Sequence, residues 1–237
     1  MSKKIISFSL WGNSSTYWIG AKENIELANE YYPGWICRFY IDEKSDKDLI
    51  DSINGDNVEI VLLENKDNNI SNIERFNHSG LYWRFLPLKE DFDVLIFRDC
   101  DSRITEREIT AVNEWLESDK DYHIMRDHPY HAVPILSGMW GCKKGSLNNI
   151  DELFNHWSTY KNKGVYAADD QDFLGQLVYP IIRNNVLEHS EFGINYGGVI
   201  KKFPSERKNY EFVGDSFDDK NERHPEYWKI INYYENR

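Results

Sequence analysis

Positive charge and cysteine are both scarce in this chain. Its 237 residues carry 28 Lys and Arg against 40 Asp and Glu, a formal net charge of −12. A surface of that sign repels polyphosphate and anionic lipid, so nucleic acid and anionic membranes are not expected partners. An anionic ligand would need a metal ion or a local basic cluster to offset the field. The three cysteines, Cys37, Cys100 and Cys142, are odd in number and far apart. They give neither zinc-ligand spacing nor a disulfide framework, and a reducing compartment is expected. No stretch approaches the ~18 apolar residues that span a bilayer, so no membrane span is expected. The run Ile5 to Leu10 is short, broken by serines and followed by no small-residue cleavage site. It reads as a buried first strand rather than a signal peptide, which makes the cytoplasm the expected location. Aromatics are not scarce. With 8 Trp, 15 Tyr and 12 Phe the chain has the apolar area that a disordered polypeptide lacks. Its length predicts one domain spanning 1–237.

Strand and helix signals alternate from the start. Lys4 to Leu10 reads as a strand, and Trp18 to Tyr32 as a helix stopped by Pro33-Gly34. Strands are predicted over Trp35 to Ile41, Val58 to Leu63 and Val94 to Phe97. A polar helix is expected over Asp46 to Ile53, a polar loop over 65–72, and a helix over Leu81 to Leu86 ending near Pro87. This series predicts an α/β fold, a Rossmann-like and mainly parallel central sheet flanked by helices. Beyond residue 100, Glu106 to Glu117 is an amphipathic helix by its spacing of Ile109, Val112, Trp115 and Leu116. Strands are expected over Tyr122 to Met125 and Met139 to Cys142, and near Val186-Leu187. Helices are expected over Leu147 to Tyr160 and Asp170 to Leu177. The segment from Phe192 onward, rich in Gly, aromatics and charge, has no clear element.

Asp-x-Asp is cheap in so acidic a chain. It occurs at Asp46/Asp48, Asp91/Asp93, Asp99/Asp101, Asp119/Asp121 and Asp170/Asp172. Context separates them. Only Asp99-Cys100-Asp101 directly follows a wholly apolar strand, with Arg98 between. In open α/β sheets ligands bind beyond the carboxyl ends of strands, and hard oxygen ligands there suit Mg²⁺ or Mn²⁺. Asp170-Gln171-Asp172 opens a helix, where acids also favour the helix dipole. His189 follows an expected strand end.

These residues resemble a family. Tyr82-Trp83-Arg84-Phe85, then Val94-Leu95-Ile96-Phe97-Arg98-Asp99-Cys100-Asp101, is similar to the core of metal-dependent GT-A glycosyltransferases, nearest to family 8, the glycogenin and galactosyltransferase type. Ser137-Gly138-Met139-Trp140-Gly141 resembles that family's Ser-Gly strand, Asp170-Gln171-Asp172 its Asp-Gln-Asp motif, and His189 stands where its C-terminal metal histidine would. The string from Arg98 to Pro129 also resembles a bacterial and viral subgroup of glycosyltransferases. The family's His-x-x-Gly-x-x-Lys-Pro-Trp ending is absent; Lys201 and Lys202 read as a solvated basic pair, with substitution for the family's lysine as the alternative, and Arg98 replaces an apolar residue.

The resemblance implies transfer of a sugar from a nucleotide-diphosphate sugar, UDP-sugars favoured, to a glycan or other acceptor, with retention of configuration. Polysaccharide biosynthesis is a compatible setting. It implies Mn²⁺ or Mg²⁺ held by Asp99, Asp101 and His189, with Asp99 shared with the ribose. The donor would meet Ser9, Leu10, Trp11, Gly12, Tyr17 and Arg84, and residues 1–101 would form the donor half. Asp170 and Gln171 would face sugar and acceptor in the half spanning 102–237. Arg126-Asp127-His128-Pro129-Tyr130-His131 is the densest polar cluster in the chain and reads equally as a substrate-binding or a structural loop; Asp127 is its candidate general base should transfer invert. Two other readings stay open. One is a non-catalytic carbohydrate-binding protein. The other is a haloacid dehalogenase-type phosphotransferase, whose acid pair follows the first strand of its core rather than a fourth.

Overall fold

The structure, a computed structural model, describes residues 2–66, 79–160 and 169–236. The chain lays down β1 (Lys4–Leu10), α1 (Ser15–Tyr31), β2 (Ile36–Asp42), α2 (Lys47–Asp51) and β3 (Val58–Leu63). A 3₁₀ turn over Trp83–Lys89 precedes β4 (Val94–Arg98). Then come α3 (Glu106–Glu117), β5 (Tyr122–Arg126), β6 (Met139–Lys143), α4 (Ile150–Tyr160) and α5 (Asp169–Phe173). A π-helical turn (Leu174–Val178), α6 (Tyr179–Ile182), β7 (Val186–Ser190), β8 (Ile200–Lys201) and α7 (Pro225–Glu235) complete the order. The strands form one eight-stranded sheet in the order β3-β2-β1-β4-β6-β5-β7-β8. β6 runs antiparallel to β4 and β5, and the other pairings are parallel. This is the α/β class that the alternating elements predict.

Adjacent residues of β1 and β4 enter different cores, because side chains alternate across a strand. Ile6, Phe8 and Ile96 pack with Trp18 and Ile25 of α1 and Trp115 of α3. Ile5, Leu95 and Phe97 pack with Phe85 of the 3₁₀ turn, Trp140 of β6 and Phe154 of α4. Both faces are therefore covered, which is why β4 reads as a continuous apolar run rather than an alternating one.

Departures from the sequence expectation have local causes. The helix expected from Leu147 begins at Ile150, since Leu147 sits at a φ of 53°, outside helical space. The 3₁₀ turn runs through Pro87 instead of stopping there. The expected strand end near Leu187 is no end: β7 continues through His189 to Ser190. The unplaced region after Phe192 contributes β8, α7 and two isolated bridges, Ser102 to Ser216 and Phe217 to Arg223. Residues 67–72 of the expected polar loop lie outside the described residues, as do Ala167 and Ala168 ahead of the second acidic motif. Among the described residues no helix is long and apolar enough to cross a membrane.

Candidate functional site

Sheet topology places the site. From β1 the chain builds β2 and β3 to one side, and β4 pairs on the other side. The carboxyl ends of β1 and β4 thus meet at a switch point, with Phe8 opposite Arg98. Crevices for ligands form at such points. Antiparallel β6 starts at the same end, Met139 opposite Arg98, and brings Ser137 and Gly138 to it.

A cleft of about 710 Å³ opens there. Ser9, Leu10, Trp11 and Gly12 line it from the end of β1, and Tyr17 from the first turn of α1. Arg84, Asp99, Asp101, Asp170 and Gln171 complete the set that the sequence nominated for this region. Asn13, Ser14, Leu81, Cys100 and Ser137 also line the cleft and were not nominated. Asn13 and Ser14 carry a readable signal, since they join Gly12 to a helix start. Ser137 had one too: a serine before a glycine at the head of an apolar strand.

Two serines interrupt the apolar run of β1, and both work. The Arg84 backbone N–H donates to Ser9 Oγ at 2.8 Å, and Ser7 Oγ donates to the Arg84 carbonyl at 2.7 Å. They fasten the 3₁₀ turn so that the Arg84 guanidinium enters the cleft and pairs with Asp99. Arg84 Nε is buried without a hydrogen-bond partner among the described residues. Asp99 fits only because Gly138 has no side chain; a Cβ there would collide with its carboxylate. Trp11 likewise lies against Gly80, where a Cβ would strike the indole. Tyr82 hydroxyl donates to Asp169 at 2.5 Å and fixes the start of α5, whose next residue, Asp170, is buried with Gln171 N–H on its Oδ1 at 2.9 Å.

The cleft is short of positive charge. Among the described residues, three carboxylates line it against one guanidinium. Burial and then the neighbouring Asp99 push the Asp101 carboxyl up to about 6. Burial also raises Asp170, against the pull of Arg84 and a hydrogen bond from Ser137. Tyr17 is raised by burial and by Asp101 and Asp99. Two hard carboxylates in an under-neutralised cleft suit Mg²⁺ or Mn²⁺, which take one or two carboxylates and leave positions for phosphate oxygens and water. Among the described residues no group of three or more His, Cys, Asp or Glu converges for a metal.

His189 is not brought to this cleft. It lies within β7, and β6 and β5 separate that strand from β4, so it stands roughly 14 Å away at ordinary strand spacing. Both ring nitrogens are engaged: Nε2 with Glu114 at 3.0 Å and Nδ1 with His123 Nε2 at 2.8 Å. In the neutral tautomer that donates to Glu114, Nδ1 accepts from His123, and no lone pair remains for a metal. Its side chain is fully buried.

Asp127 also departs from its nomination. It is fully buried, gripped by Arg107 at 2.8 and 3.0 Å and by Arg207 at 2.7 Å. Val213 N–H adds a bond at 2.9 Å. Its neighbours follow suit. Arg126 pairs with Glu188, and His128 and His131 pack on Phe212. The first half of the densest polar cluster, Arg126 to His128, is a buried joint, while Tyr130 is exposed. Lys201 and Lys202 are paired with Glu114 and Glu191. Arg98, the basic residue ahead of the acid pair, reaches Glu108 of α3 at 2.8 Å with both side chains buried.

No family model matches the chain, and no curated protein does. Solved structures with a similar arrangement include 4-diphosphocytidyl-2C-methyl-D-erythritol synthase from Anaerococcus prevotii DSM 20548. It has a TM-score of 0.48 and 12% identity over 99% of both chains. The galactosyltransferase LgtC with donor and acceptor sugar analogues has a TM-score of 0.48 and 13% identity, over 78% of this chain and 73% of that one. An active-site mutant of LgtC has a TM-score of 0.48 and 11% identity, over 87% and 89%. At these identities and scores, function has to be read from the cleft itself.

Proposed function

We propose that this protein is a GT-A-type, metal-dependent glycosyltransferase that binds a nucleotide-diphosphate sugar, a UDP-sugar in preference, in the cleft between β1 and β4. One observation carries the reading: Asp99 and Asp101 meet Arg84, Asp170 and Gln171 in one acidic cleft at the switch point of the sheet. Asp99 and Asp101 would hold Mn²⁺ or Mg²⁺. Bound there, the ion neutralises the charge that develops on the leaving diphosphate. Residues 1–101 form the donor side. Trp11 and Tyr17 flank the base and ribose, and Arg84 contributes the positive charge that a leaving phosphate needs. The acceptor side comes from 102–237, where Asp170 and Gln171 orient the sugar and the acceptor hydroxyl.

Retention is the proposed stereochemical course. An inverting enzyme needs a carboxylate free to take the acceptor proton. The two arginines that bury Asp127 remove that candidate. A non-catalytic sugar-binding protein has no use for this acid pair, and a haloacid dehalogenase-type pair would follow the first strand, not β4.

Thermal shift of the purified chain with UDP and UDP-sugars, with and without Mn²⁺, tests the reading. A ligand at 100 times its dissociation constant adds about 2.7 kcal/mol. Stabilisation that requires Mn²⁺ and disappears in Asp101→Ala is the expected result. Nucleotide binding that persists unchanged in excess chelator overturns it.

A further inference from the structure

The turn that carries the acid pair is gripped from two sides. On one side stands α1. Asn24 Nδ2 donates to the Ser102 carbonyl at 2.8 Å, and its Oδ1 accepts from Ile104 N–H at 3.0 Å. Gly20 lies so close that a Cβ would collide with the Cys100 carbonyl oxygen. On the other side stands a segment more than a hundred residues later. Phe217 N–H donates to the Asp101 carbonyl at 2.9 Å, and Ser216 bridges to Ser102. Arg103 ties the two together. Its Nη1 donates to the carbonyls of Cys100 and Ser102 at 3.3 and 3.1 Å, while Nε and Nη2 both donate to Asn221 Oδ1 at 3.1 and 2.9 Å. Its guanidinium also lies 4.7 Å from the centre of the Phe217 ring. Asn221 is exposed and sits at a φ of 61°, a left-handed conformation that asparagine tolerates.

We propose that residues 216–221 are a strap that sets the geometry of the Asp99–Asp101 turn, with Arg103 and Asn221 as positioning residues for the two carboxylates. The inference deepens the proposed function and rests on it for what the carboxylates hold. The physical reason is charge. Two carboxylates two residues apart repel each other, and an unrestrained turn would relax by swinging one into solvent. Carbonyls pinned from both sides hold the turn against that relaxation, so a divalent ion meets a preformed pair rather than paying to assemble one. α1 restrains the far end of the turn, at Ser102 and Ile104. Among the described residues, the strap alone hydrogen-bonds to the carbonyl of Asp101 itself.

Asn221 makes a clean test, because it is exposed and its backbone conformation can be kept. Asn221→Gly preserves the left-handed φ and removes the acceptor; Asn221→Asp preserves the acceptor. Two readouts are needed on the full chain. The first is Mn²⁺ affinity, with and without UDP, from the electron paramagnetic resonance signal of free Mn²⁺. The second is amide hydrogen exchange over residues 99–104 without metal. Asn221→Gly and Arg103→Ala should each weaken Mn²⁺ about fivefold or more and speed exchange in the turn. Asn221→Asp should restore both, and Asn221→Gly should melt close to wild type. If wild type binds Mn²⁺ and Asn221→Gly binds it equally, with unchanged exchange, the strap is refuted while the metal reading stands. If wild type binds no Mn²⁺ with or without UDP, the proposed function fails. Faster exchange in Asn221→Gly would then still support the strap, and unchanged exchange would refute it as well.

Discussion

A buried imidazole pair has room for few proton arrangements. His123 and His189 share one hydrogen bond, Glu114 fixes the outer end, and His123 Nδ1 has no partner among the described residues. Burial, then the neighbouring ring, holds His123 well below the usual 6.5, and burial holds His189 below it too. Burial likewise lowers His131 to about 3. The sign follows from proton counts. Below about pH 6.5 the unfolded chain binds protons that the folded one refuses, so stability is whole above that pH and drains away as pH falls. Taken alone, these histidines lower the melting temperature between pH 7 and pH 5, against buried carboxyls such as Asp101 and Asp215, whose raised values act in the opposite direction. His123→Gln keeps a donor for His189 and cannot protonate, so its melting temperature should fall less steeply over the same range. Parallel slopes for the two proteins would show that the pair does not contribute.

Elements differ in how openly the sequence announces them. β1, β3 and α3 have the bounds that their patterns predict. α3 even carries its cap, with Thr105 Oγ1 accepting from Glu108 N–H at 3.2 Å. That Asp99 and Asp101 line the cleft was legible because an apolar strand ends just before them, and that Arg84 joins them was legible from the resemblance carried by Tyr82-Trp83-Arg84-Phe85. His189 misled because strand length is weakly encoded: three more residues of β7 turn an expected strand end into a strand interior. Asp127 misled because a polar cluster looks the same in sequence whether it lines a cleft or joins buried elements. The partners that decide it, Arg107 and Arg207, lie 20 and 80 residues away. β6 shows how an element shapes the site through a residue it lacks. Gly138 precedes it, and its bare Cα is the space that Asp99 fills. Gly138→Ala should reduce Mn²⁺-dependent UDP binding at least tenfold, since both the Asp99 carboxylate and its backbone nitrogen obstruct the new methyl. Gly141→Ala, inside the strand and facing Ile96 and the Leu95 carbonyl, is the control. It should lose about 1–3 kcal/mol to overpacking and bind normally per folded molecule. Calorimetry of both variants with the ligand pair checks this. Equal binding losses would mean that a general disturbance of β6, and not the space beside Asp99, governs the site.

At the scale of the whole molecule, the C-terminal region joins two distant parts of the sheet. Residues 205–213 engage the end of β5 through Arg107, Arg207 and Asp127, and residues 215–223 engage the acidic turn after β4. Asp127 is the hub of the first joint, one carboxylate shared by two buried arginines and a backbone amide. Replacing it with asparagine keeps the volume and removes the charge, which leaves both guanidinium groups under-compensated out of water. Breaking such a buried network costs about 3–5 kcal/mol. For a chain of this size each kcal/mol lowers the melting temperature by about 2–4 °C. Asp127→Asn should therefore melt on the order of 10 °C lower. Below its transition, the folded fraction should still bind Mn²⁺ and UDP, because Asp127 lies outside the cleft. Differential scanning calorimetry paired with binding at low temperature separates the two effects. A variant that melts like wild type but no longer transfers sugar would return Asp127 to the role of general base, and would make inversion the course of the reaction.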